Sequence, residues 1–306
     1  MRTFPALFLL MAGCAVGSHA ADSAPVQDLA NAAGDPVLVG AGDIGECGRS
    51  AVRQTAELLD RIPGTVFTAG DNAYPNGSAE DFQYCYGPSW GRHGARTRPA
   101  AGNHEYRTTN GSAYFSYFGL AAGPPSRGYY SYDLGAWHIV VINSNCGEIG
   151  GCQAGSRQET WLREDLAEHP GRCTAAIWHH PMFSSGLHGG NPTATRDFWN
   201  ALHSAGADIV INGHDHDYER FAPQDPSGAP DPLRGIREFV VGTGGAALRS
   251  FPRGPVANSE VRDDHTHGVL KLTLHPQSYD WEFVPVNGGT FTDSGSAPCH
   301  AASPKS

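Results

Sequence analysis

Most of the short apolar runs in this chain stop at a small residue, usually Gly, that is followed by Asp, Asn or His. VLVGAGDIG ends on Asp43, TVFTAGDN on Asp71 and Asn72, and PAAGNHE on Asn103, His104 and Glu105. AAIWHHP ends on His179 and His180, and DIVINGHDH on His214 and His216. Runs of this length bounded by turn residues suit buried strands, and the pattern predicts strands over 37–41, 65–69, 137–142, 175–178, 209–211 and 239–241. Amphipathic helices are expected between some of them, over 50–59, over 156–168 behind a Ser156-x-x-Glu159 capping box, and from Asn191-Pro192 to about 204. Alternating strands and helices predict an α/β core. In open α/β sheets ligands bind beyond the carboxyl ends of the strands, so polar residues at several strand ends converge on one place. A metal centre needs such convergence.

The length of 306 residues suits one large domain, expected over 35–286, with 21–34 as a linker and 287–306 as a Gly- and Ser-containing tail. Two adjacent strands near its end, over 268–275 and 278–286, are expected to form an antiparallel hairpin. A formal charge of −10 disfavours nucleic acid and anionic membranes as partners. Residues 1–20 place Arg2 before an apolar stretch, 4–12, and end on Ser18-His19-Ala20, the layout of an export signal. That stretch is too short to span a bilayer. Two processing routes fit: cleavage after Ala20, or lipid attachment to Cys14, because Met11-Ala12-Gly13-Cys14 resembles a bacterial lipoprotein signal with Met in the usual Leu position. A lipid on Cys14 would then be the membrane contact, and a periplasmic or secreted location is expected.

Cys14 aside, six cysteines remain, an even set that suits three disulfides in an oxidising compartment. Cys146 and Cys152 flank a Gly-containing loop and suggest a local staple, leaving Cys47, Cys85, Cys173 and Cys299 for longer closures.

A strand-ending Asp taken alone commonly caps the next helix or turn. Five blocks in this order carry more. GDIG (42–45), GDNAYPNG (70–77), GNHE (102–105), HHP (179–181) and GHDH (213–216) together resemble the calcineurin-like metallophosphoesterases over nearly all of 36–286. Within that superfamily most members begin with D-x-H, whereas this chain has Gly45 at the His position. The purple acid phosphatases have a D-x-G block with a Tyr in the second block, as Tyr74 is here. The resemblance implies a four-layer αββα sandwich with a dinuclear site at the strand ends. It implies a first metal held by Asp43, Asp71, Tyr74 and His216, and a second held by Asp71, Asn103, His179 and His214. Tyr74 would bind Fe³⁺ as phenolate, since a phenol with a pKa of about 10 needs a strong Lewis acid near neutral pH. The Asn103 site would take Fe²⁺, Zn²⁺ or Mn²⁺.

Such a pair of ions supports hydrolysis of small phosphate monoesters by a metal-bound hydroxide. His104 is the candidate to protonate the leaving group, with Glu105 orienting its ring. By the resemblance Asn103 and His188, nine residues after His179, contact substrate. His180 is expected to pack behind His179, and Gly242-Thr243-Gly244-Gly245 to pack near the site without being a phosphate loop. The aromatic segments 78–98 and 106–127 suit a pocket wall or core equally. Two other readings stay open: a phosphodiesterase on the same site, and a phosphate- or metal-binding lipoprotein without turnover.

Overall fold

A computed structural model describes residues 34–124 and 126–300, together with Met1. The rest of the expected export segment and the linker as far as residue 33 lie outside them. No helix among the described residues is long and apolar enough to cross a membrane.

Among the described residues thirteen strands form two mixed sheets. The first has the order β13-β12-β11-β1-β2-β3 and holds β1 (Val37–Ala41), β2 (Thr65–Ala69), β3 (Thr97–Ala100), β11 (Gly268–Leu274), β12 (Ser278–Pro285) and β13 (Ser294–Pro298). The second has the order β10-β8-β9-β7-β6-β5-β4, built from β4 (Tyr130–Leu134), β5 (Trp137–Val141), β6 (Cys173–Ile177), β7 (Ile209–Asn212), β8 (Tyr218–Phe221), β9 (Arg237–Val241) and β10 (Ser259–Asp263). All six expected strands form, two with the expected ends and four with an end shifted by one or two residues, and β11 and β12 make the expected antiparallel hairpin.

Alternation along the strands creates the layers. Ile139, Val141, Ile177, Ile211 and Val241 share a core with Leu38, Val66, Leu270 and Leu272 of the first sheet. The intervening residues Val140, Ala176 and Val210 face Leu162, Leu166, Phe198 and Leu202 of the Arg157–Glu168 and Pro192–Ala205 helices. The Ser50–Arg61 helix adds Val52, Ala56 and Leu59 to the core of the first sheet. Helix, sheet, sheet and helices thus stack in the expected four layers.

Local chemistry sets the helix starts. Asn191 caps Pro192–Ala205 by accepting from the Ala194 amide, and Ser156 accepts from the Glu159 amide at 3.3 Å. The Ser156 capping box is only half made, because Glu159 turns to the Gly155 amide at 2.8 Å. A complete box stands at Ser78 and Asp81 instead.

The fold also continues past Val286, where a tail was expected. Ser294–Pro298 pairs antiparallel with β12, Cys299 is bonded to Cys173, and buried Asp293 accepts from Tyr218 Oη and Arg220 Nε at 2.7 Å each. SGSAP is a small-residue edge strand, so it carries none of the β-branched or aromatic signal that marks central strands. The disulfides are Cys47–Cys85, Cys146–Cys152 and Cys173–Cys299. In segments 78–98 and 106–127, Phe82, Tyr86, Trp90 and Tyr114 are core, while Tyr84 and Tyr117 are exposed.

Candidate metal centre

Strands β1, β2, β6 and β7 run parallel or lie across from one another in the two sheets, and their carboxyl ends deliver the polar residues to one place. Asp43 follows β1, Asp71 follows β2, Asn103 follows β3, His179 follows β6, and His214 and His216 follow β7. Three of them, Asp43, Asp71 and His214, hold left-handed backbone with φ of 58°, 48° and 73°. Each such non-Gly residue costs on the order of 1 kcal/mol or more, a cost found where a site over-determines the chain.

Asp71 Oδ2 lies at the centre. On one side the Tyr74 hydroxyl is 3.0 Å from it, 2.7 Å from Asp43 Oδ1 and 3.1 Å from His216 Nε2, with Asp43 Oδ1 and His216 Nε2 3.2 Å apart. On the other side His179 Nε2 is 3.3 Å from Asp71 Oδ2, 3.1 Å from Asn103 Oδ1 and 3.2 Å from His214 Nδ1. The structure therefore brings all seven expected residues together, in two groups that share one carboxylate. The D-x-G block has a steric cause. The Tyr74 amide donates to the Gly45 carbonyl at 2.9 Å, and a Cβ on Gly45 would stand 2.6 Å from the Asn72 carbonyl oxygen. The chain has no room for a histidine there, and the same close approach brings the Tyr74 ring beside Asp43. Gly102 plays a similar part, because a Cβ there would lie 2.2 Å from the Asp71 amide nitrogen and from Asp71 Oδ1.

The donor set suits cations. His179 Nδ1 lies 2.8 Å from the Ala69 carbonyl and His216 Nδ1 2.7 Å from the Ala247 carbonyl. A carbonyl only accepts, so each Nδ1 carries the proton and each Nε2 presents a lone pair to the centre. Polar atoms of Asp71, Asn103 and His214 thus crowd to within 3.1–3.3 Å of His179 Nε2, a donor set that a cation would draw together. Electrostatics agree. Burial opposes a charge on His179, yet Asp71 and Asp43 overcome it and raise its pKa to about 9. Burial likewise works against ionised Asp71, but His179 and His104 lower its pKa. Burial, then Asp43 and Asp71, push the Tyr74 phenol well above its ordinary range. The pocket attracts positive charge, and only a strong cation would hold Tyr74 as phenolate.

Residues 36–218 match the family described as calcineurin-like phosphoesterases. The chain belongs to that family. It is similar to purple acid phosphatase 21 of Arabidopsis thaliana, 29% identical over 268 residues that cover 78% of this chain and 57% of that protein. The chain thus spans a little over half of that relative's length. A purple acid phosphatase from yellow lupin seeds has the same fold, with a TM-score of 0.73 and 20% identity over 85% of this chain and 53% of that one. So has GAP50, the anchor in the inner membrane complex of Plasmodium, with a TM-score of 0.66 and 14% identity over 87% of this chain and 89% of that one.

Around the calcineurin-like centre, His104 packs on Tyr74 with ring centroids 4.2 Å apart, and its Nε2 is 3.6 Å from Asp71 Oδ2. Its Nδ1 meets the Pro75 carbonyl at 2.6 Å. Glu105 does not orient that ring. Its buried carboxylate turns inward and accepts from the amides of Gly102 at 2.7 Å, Asn72 at 2.9 Å and Ala73 at 3.3 Å, which fixes the loop that carries Asp71 and Tyr74. His180 stands beside the site and not behind it: its ring is 4.5 Å from that of His214, His179, His180 and His214 bring ligand atoms within 4.8 Å of one another, and its Nδ1 lies 2.8 Å from Ser144 Oγ; burial, then His179, lowers its pKa to about 3. His188 reaches the centre from the side, its ring 4.4 Å from that of His214.

Three neighbours were not anticipated. Arg107 Nη2 lies 3.1 Å from His104 Nε2, Arg249 Nη1 lies 3.1 Å from His188 Nε2, and Asp215 accepts from the His188 amide at 2.7 Å. Asp215 had a weak signal in its place between His214 and His216. Arg107 stands two residues after the GNHE block, whereas Arg249 lies in a segment with no family block that only folding brings to the site.

Proposed function

We propose that the chain hydrolyses phosphate monoesters at a two-metal site, in the manner of an acid phosphatase. The observation that carries this reading is Asp71 Oδ2, which lies 3.0 Å from the Tyr74 hydroxyl of one group and 3.3 Å from His179 Nε2 of the other, where a bridging ligand would stand. Asp43, Asp71, Tyr74 and His216 would hold Fe³⁺, and Asp71, Asn103, His179 and His214 a divalent ion, Fe²⁺, Zn²⁺ or Mn²⁺. Two such ions polarise a phosphoryl oxygen and lower the pKa of water. His104 stacks on Tyr74 with Nδ1 on the Pro75 carbonyl and Nε2 3.6 Å from Asp71 Oδ2, and as the imidazolium it would protonate the leaving oxygen from Nε2 in place of its contact with Arg107. His188, its ring 4.4 Å from that of His214, lines the substrate side of the centre, and Asn103 adds an amide beside His179.

Metal analysis of the pure protein, its visible spectrum and turnover of an aryl phosphate test the reading together. Phenolate on Fe³⁺ gives a charge-transfer band, which Tyr74→Phe should abolish; a colourless, iron-free and fully active protein would count against the ferric assignment. Asn103→Ala and His104→Ala should lower kcat/KM, His104→Ala by about 10²–10⁴-fold. Rates equal to wild type, or no turnover by wild type, would favour a phosphate- or metal-binding protein without catalysis. One feature favours phosphodiesters as a second substrate class. A cavity of about 430 Å³ opens beside Tyr74, lined by Glu46, Pro75, Glu80, Asp81, Tyr84 and the Cys47–Cys85 disulfide, and its three carboxylates would admit only an uncharged second ester substituent. Comparing a bis-aryl with a mono-aryl phosphate decides between them.

We further read the protein as exported, by cleavage after Ala20 or lipid attachment at Cys14. Three disulfides support an oxidising compartment. Mass spectrometry of the mature N-terminus separates the two routes.

A further inference from the structure

We propose that Arg249 is a phosphate-binding residue of this site, held beside the metal ligands by His188 and Asp215. The argument begins with the turn after β9. Its backbone is fastened to both ligand loops: the Gly244 amide donates to the Gly42 carbonyl and the Ala246 amide to the Asp43 carbonyl, each at 2.9 Å, and the Arg249 amide donates to the His216 carbonyl at 3.0 Å. The Ala247 carbonyl receives His216 Nδ1, and its amide donates to Glu46 Oε2 at 2.9 Å. Arg249 therefore leaves a rigid turn next to a candidate ligand of the first metal.

The guanidinium end is placed as firmly. Its Nη1 lies 3.1 Å from His188 Nε2, and the His188 ring stands 4.4 Å from His214, a candidate ligand of the second metal. His188 is itself set by buried Asp215. Asp215 Oδ1 accepts from the His188 amide at 2.7 Å and lies 3.2 Å from His188 Nδ1, while Oδ2 accepts from Ser184 Oγ and, at 3.1 Å, from the Gly189 amide. A carboxylate beside Nδ1 fixes the proton there and leaves Nε2 to accept from Arg249. Among the described residues no carboxylate pairs with the Arg249 side chain, so its remaining N–H groups are available. A planar guanidinium with several N–H donors matches two oxygens of a phosphate at once, which a lysine cannot do. Arg249 would thus hold the phosphoryl group, and Asp215 is a positioning residue that acts through His188.

The proposal rests on the phosphoesterase reading, and one set of measurements separates their failures. Inorganic phosphate is titrated calorimetrically into metal-loaded wild type, Arg249→Ala, Arg249→Lys and Asp215→Asn, alongside metal analysis and kcat and KM on an aryl phosphate. Arg249→Ala should raise the phosphate Kd and KM by on the order of tenfold or more, with kcat less affected and metal content unchanged. Arg249→Lys should recover part of the loss. Asp215→Asn should raise the same two constants by a smaller factor, with little further effect when added to Arg249→Ala. Phosphate binding and KM within twofold of wild type in Arg249→Ala would overturn the assignment and leave the phosphoesterase reading intact. Full additivity of the two substitutions would overturn the part given to Asp215. Wild-type holoprotein that neither binds phosphate nor turns over ester would sink both.

Discussion

At the scale of single residues, the centre depends on where side chains are absent as much as on where ligands stand. Gly45 lets the Asp43 and Asp71 loops touch, and the contact aims Tyr74 at Asp43. Gly45→Ala should therefore destabilise the fold by about 1–3 kcal/mol, the usual cost of forcing a methyl into packed backbone. Because the displaced atoms belong to the ligand loop, it should also lower metal occupancy at the Tyr74 site, read by metal analysis and the visible band. Stability loss with full occupancy would separate the packing role from the aiming role. The recurrent small residue before each ligand was legible as a pattern, but its reason was not. Only the approach of the Gly102 Cα to Asp71 shows why a Cβ is excluded there.

At the scale of elements, the outer helix is tied to its sheet by a buried imidazole. His138 on β5 sits between Asp133 of β4, at 3.1 Å, and Asp165 of the Arg157–Glu168 helix, at 2.8 Å. The His169 ring stacks on it, 3.9 Å between centroids, and Arg172 pairs with Asp133 at 3.1 Å. Burial opposes the charge on His138, but the hydrogen bonds it donates to the Asp165 and Asp133 carboxylates overcome it and raise its pKa. A raised folded-state pKa contributes stability that is fully present below the unfolded value, about 6.5, and is lost as pH rises through the folded value. His138→Gln should thus lower Tm most at about pH 5, with the difference from wild type shrinking by pH 9; a pH-independent difference would mean that packing alone is at stake. Asp165 behaves oppositely. Burial raises its pKa, but His138 and Ser131 lower it overall, so its share is lost on acidification through its folded value. The element itself was readable from its capping residue and apolar face, whereas this link was not, because its residues come from two strands and a helix.

At the scale of the whole molecule, the last described strand is part of the fold. The Cys173–Cys299 disulfide joins residues 126 apart and connects the end of the first sheet to β6 of the second. Closing a loop of that length is worth about 4–5 kcal/mol in the chain-entropy account. Cys173→Ser with Cys299→Ser should lower Tm by many degrees in denaturation experiments, and selective loss of β13 protection in hydrogen exchange would show that the strand depends on it. Opening the local Cys146–Cys152 loop, with a separation of 6, should cost less. The even cysteine count and the Cys146–Cys152 staple were legible in the sequence. The other pairing was not, since four cysteines allow three connectivities and nothing local distinguishes them.

The sequence by itself determined the strands that end in candidate metal ligands and the order of the five blocks, because buried strands and short turns are local properties of composition and spacing. It also carried Asp43, Asp71, Tyr74, Asn103, His179, His214 and His216, since each stands at a fixed offset from such a strand. Tertiary structure alone decided which oxygen of Asp71 both groups share, that Glu105 braces the ligand loop and not His104, and that Arg107 and Arg249 reach the site. Most of those contacts join residues far apart in the chain, and the geometry of all of them is set by how two sheets and their connecting turns pack, which no local pattern encodes.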